Sequence, residues 1–447
     1  MNINMQRWLD RWVGIGLCAA VSAIEAVRTT LKPAAQPASE PAAEPRAIVV
    51  ILLSEMGSLV LAHDMFKRLK TRYPNAPLHA LLFGKNREIL DLMGVIDPAN
   101  VHTVDDKSLK SLLTSLGRAV GELRRANVDV AIDCELFSRI SSLLSYASGA
   151  SVRVGFYRHT QEGLYRGTHI NRRVPYNPYH HISAQFLTLA RSIDATAQPV
   201  SKLPPTTLTK APPHVALAAG LVAGIAQRLA TDFAALAGKP LVLVYPGGGI
   251  LPIRAWPLAS YTALCEGLVA DGCAVAVIGL KDDQALARQL VASVQSASPG
   301  STVIDLTGYT RSIAELLALF HIARLLVTND GGPGQFAALT PIWTLMLFGP
   351  ETPSLYAPLT PRCHAFYSQW PCSPCLTAYN HRASYCDGDN QCLKMIQADT
   401  VLAKARECLR DAPAAPHTPH TPHTPHTPHT PHTPHTPNEA EAARATA

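Results

Sequence analysis

The sequence predicts an α/β protein built from two doubly wound domains that face a central cleft. Three observations carry this. Apolar, β-branched runs alternate with amphipathic segments from about residue 46 to residue 411. A proline-rich stretch, LPPTTLTKAPP at 203–213, interrupts the alternation. The same alternation then restarts. In the first half, residues 47–53 (AIVVILL) read as a buried strand, followed by a helix over 58–73 that Pro74-Asn75 stops. Strands follow at 77–83, 101–104 and 128–134, with helical stretches near 88–93 and 109–125 between them. After a segment at 137–147 comes a further strand, SVRVGF. The second half reads as strand 241–246, helix 257–270, strand 274–280, helix 282–294, strand VIDLTG, helix 313–322, and strands 324–330 and 341–349. Ligands of such sheets bind at the carboxyl ends of the strands, so two sheets in series imply a deep cleft between them.

The 447 residues suffice for two or three domains, and 47% hydrophobic against 16% charged residues excludes a mostly disordered chain. The net charge of +6 is spread along the chain without a basic stripe, which argues against nucleic acid as a partner. No apolar run reaches the roughly 18–20 residues of a spanning helix.

The two ends differ from the middle. Residues 1–31 hold one apolar run, 12–24, with Arg7 and Arg11 before it and Glu25 and Arg28 after it. An interfacial helix on a membrane, with Trp8 and Trp12 at the headgroup level, fits this pattern. A secretory signal and a helix packed on the protein's own body are the alternatives. Residues 32–46 then form a Pro/Ala linker. The domains proper are 47–205 and 206–411, and residues 412–447 form a tail in which His-Thr-Pro repeats seven times between His417 and Pro437. Proline at every third position forbids helix and ladder pairing there.

The strand ends carry the chemistry. Strand 241–246 runs into Gly247-Gly248-Gly249, then Arg254, Trp256 and Pro257. Glycines after a strand bring bare backbone N–H groups close to an anion, and a guanidinium beside them suits a diphosphate. A simple tight turn explains the glycines equally. Strand 324–330 ends in Asn329-Asp330-Gly331-Gly332, where Asp330 either caps a helix or binds a sugar hydroxyl. Strand 341–349 ends in Gly349-Pro350-Glu351-Thr352. Three such loops at one edge point to a nucleotide site. Opposite them, strand 47–53 leads to Ser54-Glu55-Met56-Gly57-Ser58, and strand 128–134 leads through Asp133 to Glu135. Carboxylates placed there border the cleft, where one is able to deprotonate an acceptor hydroxyl.

Taken together these residues resemble glycosyltransferase family 9, the heptosyltransferase family of lipopolysaccharide assembly. The motifs are SEMGSLVLA at 54–62, IDCELFSR at 132–139, PGGGILPIRAWP at 246–257, TNDGGPGQFAAL at 328–339 and LFGPETP at 347–353. The resemblance implies a GT-B fold of two Rossmann-like domains, with the donor bound by the C-terminal one. It implies inverting transfer from a nucleoside-diphosphate sugar to a lipopolysaccharide-type or other lipid-linked acceptor, with no required cofactor. The expected setting is cytoplasmic, peripheral on the inner face of the inner membrane. Gly247, Gly248, Arg254, Asp330, Gly331, Gly332 and Gln335 fall on the family's donor-binding positions. Two departures stand out. Gly57-Ser58 replaces the usual Gly-Asp, whose aspartate serves as base, and Gln335 replaces the usual histidine. A serine hydroxyl barely ionises at neutral pH, so Glu135 and Glu55 become the base candidates; otherwise the chain is an impaired, nucleotide-binding homologue. A two-lobed exported solute-binding protein is the alternative outside the enzymes.

Cys372-x2-Cys375, Cys386 and Cys392 cluster in a polar, loop-like stretch. A structural zinc site, disulfides and free thiols are the three readings. The remaining six cysteines are scattered and read as buried.

Overall fold

The computed structural model describes residues 3–31, 44–53, 55–157, 165–195, 207–211, 213, 215–380 and 382–411. Most of the linker and the whole His-Thr-Pro tail therefore lie outside the described residues. Two six-stranded, all-parallel sheets form the frame. The first contains β1 (Ile48–Ile51), β2 (Leu78–Phe83), β3 (Val101–Val104), β4 (Val130–Asp133), β5 (Val152–Tyr157) and β6 (Arg172–Pro175), in the spatial order β3-β2-β1-β4-β5-β6. The second contains β7 (Leu241–Tyr245), β8 (Ala274–Val277), β9 (Val303–Asp305), β10 (Leu325–Asn329), β11 (Trp343–Phe348) and β12 (Cys363–Tyr367), in the order β9-β8-β7-β10-β11-β12. Both follow the doubly wound order, so the expected α/β architecture of two Rossmann-like sheets is present.

The central strands form where apolar residues run continuously, because helices cover both faces of a parallel sheet. Along β1, Ile48 and Val50 enter a core that reaches into both sheets, while Val49 and Ile51 enter a second core under the helices Leu109–Arg125 and Arg139–Ala147. The second sheet has its own outer core, which includes Val242, Val244, Tyr261 and Leu402. Fully burying each such side chain contributes about 1.5–3 kcal/mol.

Four elements depart from expectation. The helix expected over 58–73 is divided into Met56–Leu61 and His63–Arg72, with Ala62 between them. β6 and β12, both edge strands, carry no strand signal in the sequence: β6 reads Arg-Arg-Val-Pro, and β12 is half-buried throughout. The N-terminal segment is a helix over Ile3–Leu31, longer than its apolar run, and it packs on the helix Arg139–Ala147.

Candidate functional site

The β1–β2–β4 edge of the first sheet and the β7–β10–β11 edge of the second bring their loops together. The joint is made by short helices: Gln335, in the helix Gly332–Ala337, packs its Cγ beneath Gly57 in the helix Met56–Leu61. Ala314 N–H also donates across the joint to Glu88 at 2.9 Å.

On the second-sheet side, Asn329 organises the glycine turn. Its Oδ1 accepts from Trp256 N–H at 2.9 Å and from the Tyr261 hydroxyl at 3.1 Å, while its Nδ2 donates to the carbonyls of Pro246 and Gly247 at 3.1 and 2.9 Å. That fastens the end of β7 to the end of β10. Gly248 is needed by the turn itself, since a Cβ there would stand 2.8 Å from the Pro252 backbone. Gly331 differs. Its φ of 173° is open to any residue, and a Cβ there meets nothing closer than 3.9 Å. Neither strain nor crowding within the chain calls for glycine at 331, so its bare backbone leaves room for something else.

Arg254 lies in the short turn Pro252–Arg254, and its guanidinium reaches Glu351 at 2.8 Å and Asp330 at 3.8 Å. Glu351 and Asp330 are both buried. Burial disfavours the charge on Arg254, but Glu351 and Asp330 outweigh it and hold the guanidinium above its ordinary value. Burial raises both carboxyls, and each also hydrogen-bonds to the other; Glu351 is pushed up to about 8 by burial and then by the Asp330 charge. At neutral pH the pair therefore holds a proton between its two carboxyls. Gln335 donates its amide to the Tyr356 carbonyl at 2.7 Å, and its Oε1 is buried without a partner.

On the first-sheet side, Glu55 and Glu135 follow β1 and β4 as expected. Glu135 Oε1 accepts from Leu53 N–H at 2.6 Å. Glu55 Oε2 accepts from the Ser58 hydroxyl at 2.8 Å. The serine in the usual base position thus holds a neighbouring carboxylate. Asp133 does not border the cleft: it is fully buried, ion-paired to the equally buried Arg166, and bonded to Ser141 Oγ at 3.0 Å. Its role is to fix the loop after β4. In that loop Phe137 takes a left-handed φ of 63°, held by packing against Tyr176 and Tyr379.

The residue that sequence reasoning missed is Arg382. It bridges the two sides, pairing bidentately with Glu55 and reaching Glu351 at 3.3 Å. Asp330, Arg254, Glu351, Arg382 and Glu55 thus form one ion chain from the donor side to the acceptor side. Arg382 ends a strap of irregular chain. Upstream, Cys375 and Leu376 donate their N–H groups to the Pro350 carbonyl at 2.9 Å, and the Tyr379 hydroxyl donates to the Tyr176 carbonyl at 3.1 Å. Arg382 itself has φ of 55°, a left-handed value. A segment without periodicity gave no sign that one of its arginines would turn into the cleft.

The cysteine cluster lies in this strap and just beyond it, Cys392 in the short helix Gln391–Lys394. Among the described residues no group of three or more His, Cys, Asp or Glu side chains is placed to hold a metal ion. The zinc arrangement expected of Cys372, Cys375, Cys386 and Cys392 is therefore not formed. The four stand as free thiols, Cys375 Sγ lying 3.3 Å from Ser384 Oγ and Cys386 Sγ donating to Asn390 Oδ1 at 3.3 Å. The strap's own bonds to Pro350 and Tyr176 do the holding instead. Of the six other cysteines, all but the half-buried Cys363 are buried.

Comparison with known proteins agrees with this geometry. The family model of glycosyltransferase family 9 (heptosyltransferase) matches residues 116–385. Lipooligosaccharide heptosyltransferase 2 of Haemophilus ducreyi is 25% identical over 315 residues, covering 70% of this chain and 86% of that protein. Lipopolysaccharide heptosyltransferase 2 of Salmonella typhimurium is 23% identical, with 70% and 85% covered. Among solved structures, the ADP-heptose lipopolysaccharide heptosyltransferase II of Escherichia coli superposes with a TM-score of 0.62 at 20% identity, covering 82% of this chain and 99% of that one. A family 9 glycosyltransferase from Veillonella parvula gives the same TM-score at 16% identity, with 82% and 98% covered.

Proposed function

The chain belongs to glycosyltransferase family 9, and we propose that it transfers a sugar, a heptose in the first instance, from a nucleoside-diphosphate sugar to a lipopolysaccharide-type, lipid-linked acceptor with inversion. Membership makes it a glycosyltransferase and replaces the solute-binding alternative. The observation that carries the reading is the buried Arg254, held by two buried carboxyl groups at the carboxyl ends of three adjacent strands and facing Glu55 along one ion chain. A guanidinium in that position suits a diphosphate, which replaces its carboxylate partners. The bare backbone at Gly331 leaves space for the donor beside it.

In this mechanism the acceptor hydroxyl gives its proton to a carboxylate as its oxygen attacks the anomeric carbon in line. The bond to the diphosphate oxygen breaks on the opposite face, and its electron pair leaves with the diphosphate. A single displacement inverts the configuration. Arg254 meets the charge that develops on the leaving group, and no metal ion takes part. Glu55 is the base. The Ser58 hydroxyl orients it, whereas Glu135 spends an oxygen on the Leu53 N–H. Arg382 already sits between Glu55 and Glu351, so a diphosphate entering beside Arg254 draws it toward the donor side and frees Glu55. The setting is the cytoplasmic face of the inner membrane, where a lipid-borne acceptor is met.

Calorimetric binding of ADP, UDP, GDP and CDP tests the donor half. One diphosphate is expected to bind selectively, and Arg254→Ala weakens it about 10- to 100-fold, the range for a charge-assisted hydrogen bond. Turnover tests the acceptor half. Glu55→Gln lowers kcat about 10²- to 10⁴-fold, and Glu135→Gln lowers it less. No diphosphate binding by the folded chain would overturn the reading. Binding without turnover on any acceptor would favour the impaired homologue.

A further inference from the structure

Surface helices ordinarily turn apolar side chains inward and polar ones to water. The helix Ile3–Leu31 does the reverse. Its carboxylates Asp10 and Glu25 and the Ser22 hydroxyl face the body of the protein. Asp10 Oδ1 accepts from the backbone N–H groups of Arg139 at 2.8 Å and Ile140 at 2.9 Å, and from Ser138 Oγ at 3.0 Å. It thereby caps the helix Arg139–Ala147. Further along, Ser22 Oγ accepts from Thr168 N–H at 2.8 Å, and Glu25 pairs with Arg153 at 2.8 Å. Gly14 permits this close approach, since a Cβ there would stand 2.8 Å from that of Arg139. The opposite face carries Trp8, Trp12, Leu17, Ile24, Val27 and Leu31, each more than half exposed. Glu25 is the sole charged residue from 12 to 27, and it is turned toward Arg153.

We propose that this outward face lies in the surface of an anionic lipid bilayer and seats the enzyme on it. The helix is not long and apolar enough to cross a membrane. Charge favours lipid over a second copy of the chain. Both carboxylates of the helix are taken up by arginines of the body, Asp10 by Arg139 and Glu25 by Arg153. The helix's other charged side chains, Arg7, Arg11 and Arg28, are all cationic and exposed. Arg11 lies 5.3 Å over the Trp12 ring, so guanidinium and indole share one level, as they do among phosphate headgroups. Two like-charged helices would instead repel. From Trp8 to Leu31 the outward row runs about 35 Å at 1.5 Å per residue, a long single stripe suited to a plane.

The seat adjoins the cleft. Asp10 grips Ser138 and Arg139, three and four residues beyond Glu135. Burial and, after it, the charge of Arg7 pull Arg382 down to about 10, which places the start of the helix near the cleft's bridging arginine. A lipid-borne acceptor lying in the same plane would therefore enter beside Glu55 and Glu135. That last step rests on the transferase reading; the seating itself does not.

Flotation of the full chain with vesicles decides the matter. One set is phosphatidylcholine alone, the other equal parts phosphatidylcholine and phosphatidylglycerol. The expected result is binding to the anionic vesicles that weakens with salt. Joint Trp8→Glu and Trp12→Glu substitution should weaken it at least about tenfold, with binding of the nucleoside diphosphate selected by the calorimetry unchanged. If that variant misfolds, Val27→Glu with Leu31→Glu serves instead, at the other end of the stripe. The proposal falls if neither vesicle is bound, or if the substituted and parent chains float alike. It also falls if the parent sediments as a dimer that the substitutions dissociate, because a second copy then covers the face. Vesicle binding without binding of any nucleoside diphosphate would sink the donor reading and leave this one standing.

Discussion

Glu351→Gln tests the electrostatics of the cleft. The ion chain contains two guanidiniums, Arg254 and Arg382, and three carboxyls, Asp330, Glu351 and Glu55. With every group ionised it carries one excess negative charge, and one proton on the Asp330–Glu351 pair makes it neutral. Moving the Glu351 carboxyl from its ordinary 4.5 to about 8 sets a ceiling of roughly 5 kcal/mol on the effect. Because Asp330 shares the proton, about 2 kcal/mol is the working expectation. The sign follows from proton counting. Between pH 4.5 and 8 the folded chain holds a proton that the unfolded chain has lost. This contribution is therefore fully present below pH 4.5 and is lost as the pH rises through 8. Glutamine mimics the protonated carboxyl at every pH. Urea unfolding followed by tryptophan fluorescence should find the two proteins nearly equal at pH 5, and the variant more stable by about 2 kcal/mol at pH 9. A difference that stays constant from pH 5 to pH 9 would refute the reasoning. So would a variant that is less stable at pH 9, because Glu351 would then be an ionised partner of Arg254.

Three further substitutions probe separate links. Gly331→Ala should leave stability within about 0.5 kcal/mol, since its backbone is ordinary and the added methyl is unopposed, yet it should weaken nucleotide binding measured by calorimetry. Ser58→Ala removes the hydroxyl that orients Glu55; kcat should fall by up to about tenfold while the dissociation constant for nucleotide stays put. Asp10→Ala strips three acceptor contacts from the start of the helix Arg139–Ala147, and a loss of about 1 kcal/mol should appear as a lower Tm.

How legible each part was depends on how local its cause is. Ile48–Ile51 was readable as a strand because four β-branched side chains run without a break. Arg172–Pro175 was not, because two arginines and a proline leave it no apolar run and its pairing comes from the neighbouring β5. Arg254, Asp330 and Glu55 were readable as strand-end residues, since a parallel sheet gathers its loops at one edge. Their mutual pairing was not, and it changes the picture: the arginine expected to meet phosphate is held by two buried carboxyls. Ser58 looked like the loss of a base, and the structure shows its hydroxyl donating to the Glu55 carboxylate.

By itself, then, the sequence determined the two doubly wound sheets, the loops that face each other across the cleft and the family that uses them, because alternation and strand-end motifs are local properties of the chain. Only the tertiary structure decided which charges meet. Arg382 reaches Glu55 across 327 positions of chain, and Asp10 caps a helix 129 residues away. Such contacts depend on where distant backbones come to rest, and no periodicity within either segment records that distance.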